Sequence, residues 1–491
     1  MARWNFAIEL ARDKRLPLYL QIARALSEEV RRGRLRPGDP LPGSRTLART
    51  LGVQRQTVVS AFDELAAEGW IETRPARGTF ISTAIPVREP RRFSPKVVEH
   101  GRISARVPFD LAAAPPGEMP YDVPLGGLLF APNRPDVRLL PVDLIGRAYR
   151  RTIRKAGNQL LGYGRPQGHE RLRRAVAAML TSTRGIAAGP DDVCITRGSQ
   201  MALALLARAL LRPGDVVAVE ELTHLPTVET FRSLGARVVA VRVDDEGLHV
   251  DSVEQLAKAG TLKALHVTPH HQFPTTVTLS APRRLHLLEL ARNYRFAIVE
   301  EDYDHEFHFD GAPVLPLASA DASGVVAYVG TFSKVLAPAL RVGYIVAAAP
   351  LLKAVTAHRL HIDLQGDRVL EHALAELIED GHIQRAIGRA RREYGVRRDV
   401  LVTALQRSLA DSLTFDVPAG GIAIWVKAAP GLDIDAWAQR ARGRGAVMIT
   451  AHRFSVSGRR RPFARLGFAS LNGDELVEGV RRLAAARREL A

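Results

Sequence analysis

Cysteine is almost absent: one residue in 491, Cys194. That excludes an internal disulfide framework and a thiolate metal cluster, and suits a reducing compartment and a fold held by its core, with Cys194 as buried filler. Long apolar runs are missing too, since none approaches the ~20 residues that a bilayer requires. Met1 to Leu18 mixes Trp4, Glu9, Arg12, Asp13 and Lys14, which is not the pattern of a signal peptide. A cytoplasmic protein with no membrane partner and no bound metal is expected. Acidic residues are in deficit, 52 Asp and Glu against 69 Lys and Arg, and the net charge of +17 favours a polyanionic partner. The surplus is spread along the chain, so motifs must locate the binding site. With 46% hydrophobic residues the chain should pack well, and its length predicts two or three domains.

The segment Leu16 to Ser82 carries its own punctuation. Pro17 opens a helix in which Ile22, Leu26 and Val30 recur at helical spacing, and Gly33, Pro37 and Gly38 end it. Pro42, Gly43 and Ser44 set up an N-cap for a short helix, Arg45 to Leu51. Gly52 forces a tight turn, and a third helix runs from about Gln54 to Glu68 with Val58, Phe62 and Leu65 inward. Trp70 to Thr73 and Gly78 to Ser82 read as two short strands around the tip Arg74, Pro75, Ala76, Arg77. Helix, glycine-containing turn and helix, followed by a wing, is a DNA-reading arrangement. The alternative is a small three-helix bundle with a hairpin.

The run LPLYLQIARALSEEVRRGRLRPGDPLPGSRTLARTLGVQRQTVVSAFDELAAEGWIETRPARGTFIS resembles the GntR-type winged helix-turn-helix over its whole length. The resemblance implies double-stranded DNA as a partner and a DNA-binding α+β domain over residues 1–82. Arg45 would meet a phosphate or base near the start of the second helix, and Arg55, Gln56 and Thr57 would open the recognition helix in the major groove. A guanidinium bonds guanine bidentately or clamps phosphate, and helix N-terminal amides favour phosphate oxygens. Gly78 would let the wing backbone approach the minor groove. Over residues 83–118, Pro86, Pro90, Pro95 and Pro108 are scattered among Arg88, Arg91, Arg92 and Lys96. This reads as a semi-extended basic linker, either assisting DNA association or acting as a solvated tether.

From about Met119, apolar strands alternate with amphipathic helices. VVAVE (216–220), RVVAVRV (237–243), ALHVTP (264–269), FAIVEED (296–302), VVAYVGT (325–331) and VGYIVA (342–347) are β-branched runs, separated by helices such as Ser199 to Leu211 and Pro282 to Arg292. The order predicts a large α/β domain over 119–390, with a mostly parallel sheet covered on both faces and a site beyond the strands' carboxyl ends. Residues 391–491 read as a small α/β subdomain, with strands Phe415 to Ala428 and Phe463 to Ser470 and helices Ile434 to Arg444 and Asp474 to Glu489.

Three strand ends carry chemistry. GTFSK (330–334) places Lys334 just past a buried strand, where it can form a Schiff base while Thr331, Ser333 and Arg341 hold a phosphate. At the end of FAIV, Glu300, Glu301 and Asp302 offer a carboxylate that can pair with a pyridinium nitrogen, and Tyr303 can bond a ring's phenolic oxygen. In ITRGSQMAL, Gly198, Ser199 and Gln200 open a helix whose free amides suit a phosphate. Each feature alone is also what an ordinary strand-end turn looks like.

Those residues, with LGYGRPQGHERLRRAVAAMLTSTRGI, TPHHQFPTTVTLS, IVEEDYDHEF, YVGTFSKVLAPALRVGY and FARLGFA, resemble fold-type I aminotransferases and, more closely, the MocR subfamily of GntR regulators, over roughly 119–491. The resemblance implies pyridoxal 5'-phosphate as cofactor, Lys334 as the Schiff-base lysine, Arg341 as its phosphate partner, and Arg465 as receiver of an effector carboxylate. On its strand the fork of Arg465 can bind a carboxylate bidentately, the alternative being a surface arginine beside Arg459, Arg460 and Arg461. The chain also departs from the subfamily. Glu301 stands where an aspartate is usual, His224 where a tyrosine usually stacks on the ring, Thr276 where a glycine closes the turn, and Phe273 where an asparagine is common.

What the resemblance implies is a homodimeric, head-to-tail transcriptional regulator whose aminotransferase-like domain senses an amine, an amino acid or the cofactor itself, and which sits on the nucleoid when DNA-bound. Two other readings stay open: a working aminotransferase with an attached DNA reader, and a regulator whose large domain no longer holds the cofactor and only dimerises.

Overall fold

The computed structural model describes residues 10, 16–75, 77–85, 107–111, 121–311 and 313–490. Most of the expected linker over 83–118, and Ala76 of the wing tip, lie outside the described residues. The chain divides into two compact units, 1–112 and 113–491.

In the first unit, helices α1 (Leu18–Arg31), α2 (Ser44–Leu51) and α3 (Arg55–Ala67) precede a hairpin of β1 (Ile71–Arg74) and β2 (Gly78–Ile81). The helical spacing of Ile22, Leu26 and Val30 turns one stripe of α1 inward, where it packs with Leu47 of α2, Val58 and Leu65 of α3, and Trp70 and Ile81. Ser44, expected as an N-cap, is instead the first residue of α2, and Gly43 holds the cap position without a side-chain bond. The Ser44 hydroxyl accepts a bond from Arg55 Nε at 3.3 Å, so it ties α2 to α3. Gly52 ends α2 in the left-handed region at φ +63, which sets the turn into α3. The wing pairs antiparallel from Ile71 opposite Ile81 to Arg74 opposite Gly78.

The second unit is built on a seven-stranded sheet. Across it the strands are Val193–Thr196, Gly343–Val346, Val326–Thr331, Ala297–Asp302, Leu262–Val267, Val216–Glu220 and Arg237–Val241. Six are the β-branched runs read from the sequence, each within two residues of its expected ends. They run parallel, except Gly343–Val346, which is antiparallel to both neighbours. A four-stranded antiparallel sheet near the C-terminus includes Ala423–Ala428 and Phe463–Gly467. Leu128–Leu129, placed by its sequence position with the large domain, pairs with Ala446–Val447 and so belongs beside the C-terminal layer.

The expected division at 390/391 falls inside one continuous 28-residue helix, His382–Leu409. Its buried face, including Ile383, Tyr394, Leu401 and Leu405, shares one core with Leu172 and Val176 on one side and Trp437 and Leu483 on the other. Arg397 anchors it by bonding Asp136 at 2.9 Å and the Ala469 carbonyl at 2.7 Å. Among the described residues no helix is long and apolar enough to cross a membrane.

A Cβ added at Gly52 meets no atom within 4 Å, so its substitution carries a conformational cost alone. Gly52→Ala is expected to destabilise the first unit by about 1 kcal/mol. Faster amide exchange in peptides covering Ile22 to Ile81 of the full chain, with the second unit unchanged, would register it.

Candidate functional site

At the first unit, the Arg55–Ser44 bond sets the N-termini of α2 and α3 side by side. Arg45, Arg55 and Gln56 are exposed there and Thr57 is half-buried. Two helix N-termini and two exposed guanidinium groups give one face suited to phosphate and base edges. Gly78, at the wing, is exposed with φ +106.

The second site grows out of the sheet's register. Because Gly343–Val346 runs against its neighbours, its first residue, Gly343, lies opposite Thr331 on one side and Thr196 on the other. Arg341, Thr331 and Gly198 therefore meet at one end of the sheet. Arg341 Nη2 donates to the Arg197 carbonyl at 3.0 Å, and a Cβ at Gly198 would come within 2.6 Å of the guanidinium. Only glycine fits. Ser199 and Gln200 follow at the start of the helix Ser199–Leu210, whose first intrahelical bond is made by Ala202. The amides before it, Arg341, and the Thr331 and Ser333 hydroxyls, 2.9 Å apart, form a cradle for a dianion.

Lys334 follows directly, half-buried, with Nζ donating to the Asn133 carbonyl at 2.7 Å. Burial lowers its pKa to about 8, and Arg341 and Arg465 push the same way against the carboxylates of Glu301 and Asp304. Glu301 lies one strand over, 3.1 Å from His266 Nε2. Burial opposes its ionisation, yet His266, His224 and the Ser199 hydroxyl together hold it below the usual carboxylate range. A carboxylate kept ionised next to this amine can hold a proton on a neighbouring ring nitrogen.

Tyr303 is buried and donates to the His271 carbonyl at 2.8 Å. Arg465 is no surface arginine: it is 0% exposed, donates to the carbonyls of Pro132 and Pro274, and reaches Tyr303 Oη at 3.4 Å. Phe273 fills the middle, with the Arg465 guanidinium 4.9 Å over its ring and edge contacts to His224 and Tyr303, both at 5.9 Å. The structure thus gathers Lys334, Ser199, Glu301, Tyr303, Arg341 and Arg465, with His224 at the rim. Gln200 stands apart: its side-chain amide bonds Thr230 and the Pro226 carbonyl, bracing the helix Leu225–Ser233. Asn133 and His266 escaped sequence reading. His266 did leave a trace, an imidazole inside the apolar strand ALHV, but nothing local marks Asn133.

Residues 133–483 match the family described as aminotransferase class I and II, and residues 18–81 match the bacterial regulatory proteins of the gntR family. The probable rhizopine catabolism regulatory protein MocR of Rhizobium meliloti is 32% identical, over 97% of this chain and 95% of its own length. The chain belongs to the MocR-type GntR regulators. The HTH-type transcriptional regulator TauR of Rhodobacter capsulatus is 33% identical, over 95% of this chain and 96% of its own. Kynurenine aminotransferase of Pyrococcus horikoshii superposes with a TM-score of 0.69 at 30% identity, over 74% of this chain and 91% of that one. This regulator is accordingly a DNA-binding transcription factor whose second unit has the fold-type I aminotransferase architecture and takes pyridoxal phosphate as cofactor.

The residues fit that group. A glycine cradle lies under Arg341, the Lys334 amine has its pKa drawn down, and a carboxylate is held ionised beside it. The Asn133 side-chain oxygen is buried with no partner among the described residues. When bound, pyridoxal phosphate supplies an aldehyde that joins amines covalently and a pyridinium that draws electrons from them.

Two outcomes are expected. Covalent incorporation of pyridoxal phosphate at Lys334 should accelerate as pH rises through about 8 and then level off, because the neutral amine is the reacting form; borohydride trapping and mass spectrometry would follow it, with Lys334→Ala inert. Thr276, a β-branched residue at φ +66, stores strain where glycine would store none. Thr276→Gly should raise the denaturation midpoint by the equivalent of about 1 kcal/mol.

Proposed function

We propose that this regulator couples DNA binding to the arrival of an amine or amino acid at the Lys334 site, with the effector's carboxylate received by Arg465. One observation carries the reading. Arg465 is a fully buried guanidinium whose bonds all go to neutral oxygens, and among the described residues it forms no ion pair. A buried cation without an anion is costly, and a carboxylate arriving there recovers that cost.

Lys334 would hold the cofactor's aldehyde carbon, Arg341 with Ser199, Thr331 and Ser333 its phosphate, and Glu301 its ring nitrogen, with Tyr303 and His224 about the ring. We take residues 1–82, 83–118, 119–390 and 391–491 as the working division of DNA reader, linker, large domain and C-terminal part. A homodimer, arranged head to tail and lying on the nucleoid when DNA-bound, suits the reading. In support of a second copy, Leu161 and Tyr163 are 72% and 87% exposed and lie beside the exposed Leu360, Ile362 and Leu364, to which Arg368 and Gln365 tie them by bonds to Tyr163 and Gly164.

The test is a visible spectrum of cofactor-loaded protein titrated with amines and amino acids, read in parallel with affinity for a duplex enriched from random sequence. A spectral shift that tracks a change in DNA affinity supports sensing. Stoichiometric keto-acid release with no change in DNA affinity would make the unit an enzyme instead. On the same duplex, Arg55→Ala should lose about 10- to 100-fold in affinity and flatten the salt dependence.

A further inference from the structure

A cavity of about 180 Å3 lies between the helices Glu170–Arg184 and His382–Leu409 and the segment that follows Asp302. Its walls are of two kinds. Met179, Ile387 and Pro313 are apolar, while Arg184, His305 and Arg391 are basic and Glu306 adds one carboxylate. Gly388, inside the long helix, helps to leave the space open: an added Cβ meets no atom closer than 3.9 Å. A glycine in a helix interior sacrifices helix propensity, so its presence there at a cavity wall is informative.

The polar wall is incompletely satisfied. Arg184 and His305 are each 3% exposed, yet Arg184 Nε and His305 Nε2 have no hydrogen-bond partner among the described residues. Asp302 serves both at longer range, 3.6 Å from Arg184 Nε and 3.3 Å from His305 Nδ1. Arg184 also pairs with Glu306 at 2.5 Å. Burial works against charge on His305, but Asp302 wins and lifts its pKa above the usual histidine range. Arg391 lies 2.9 Å from His308 Nε2 and forms no ion pair among the described residues. Arg184 is thus matched by Glu306 and Asp302, and Arg391 is left as the wall's guanidinium without a carboxylate among the described residues.

We infer that this cavity is a second ligand site, separate from Lys334, for a small monocarboxylate with an apolar body: the carboxylate on Arg391, Arg184 and His305, the body against Met179 and Ile387. The site stands whether or not Arg465 receives an effector. A carboxylate here would compete with Asp302 for its two cations, and Asp302 lies between Glu301 and Tyr303 in the chain.

The test is a fluorine NMR titration of the cofactor-loaded full chain with 4-fluorobenzoate, against its neutral counterpart 4-fluorobenzamide. Saturable binding of the benzoate is expected. It should be abolished by Gly388→Leu, which fills the cavity, and weakened at least tenfold by Arg391→Gln, while the cofactor's visible absorbance stays unchanged. Binding at Arg465 would survive both variants and register in that absorbance, so the two sites can fail separately. Arg391 is only half-buried, so Arg391→Gln carries the test if Gly388→Leu fails to fold. No saturable binding, binding unaltered in the folded variants, or equal affinity for the benzamide would overturn the assignment.

Discussion

Gly343–Val346 pairs antiparallel with both of its neighbours, and that pairing brings the phosphate cradle together. In a purely parallel sheet the residues before a strand and those after the next lie at opposite edges. Reversing one strand puts Arg341, which precedes it, at the same edge as Gly198 and Thr331, which follow theirs. The left-handed backbone of Arg341, at φ +50, and the bare Gly198 beneath its guanidinium are local consequences of that convergence. Backbone strain at such a point is sustained by the surrounding sheet.

Around Lys334 the decisive physics is charge balance in a buried space. Two carboxylates, Glu301 and Asp304, face two guanidinium groups, Arg341 and Arg465, and burial tips the amine toward its neutral form. Glu301 is one methylene longer than the aspartate usual in the subfamily, and His266 meets its extended carboxylate from the adjacent strand. The longer side chain thus has a partner on the neighbouring strand. Phe273 performs a related service: its ring face gives the buried Arg465 a partner without neutralising it.

Much of this was readable beforehand because it is local. Alternation and β-branching located the strands of the large sheet, helical spacing located α1 and α3, and strand-end motifs pointed to Lys334, Glu301 and Arg341. What escaped depends on contacts between distant segments. No local pattern says that Gly343–Val346 runs backwards, that Leu128–Leu129 pairs with Ala446–Val447, or that the Asn133 carbonyl accepts from Lys334. Ser44 has the composition of a cap, yet a tertiary partner, Arg55, took its hydroxyl. Gln200 stands in the expected place, but its side chain found Thr230 first.

The helix His382–Leu409 has one further consequence. At the α-helical rise its 28 residues span roughly 42 Å, and its buried face is common to the large sheet's packing and to the C-terminal layer. A rod of that kind does not bend where a domain boundary would be convenient. It begins at the left-handed Gly381, at φ +68, where the chain turns out of the preceding helix. With its buried face shared between the two layers and Arg397 bonded to Asp136 and to the Ala469 carbonyl, the helix ties them together along its length.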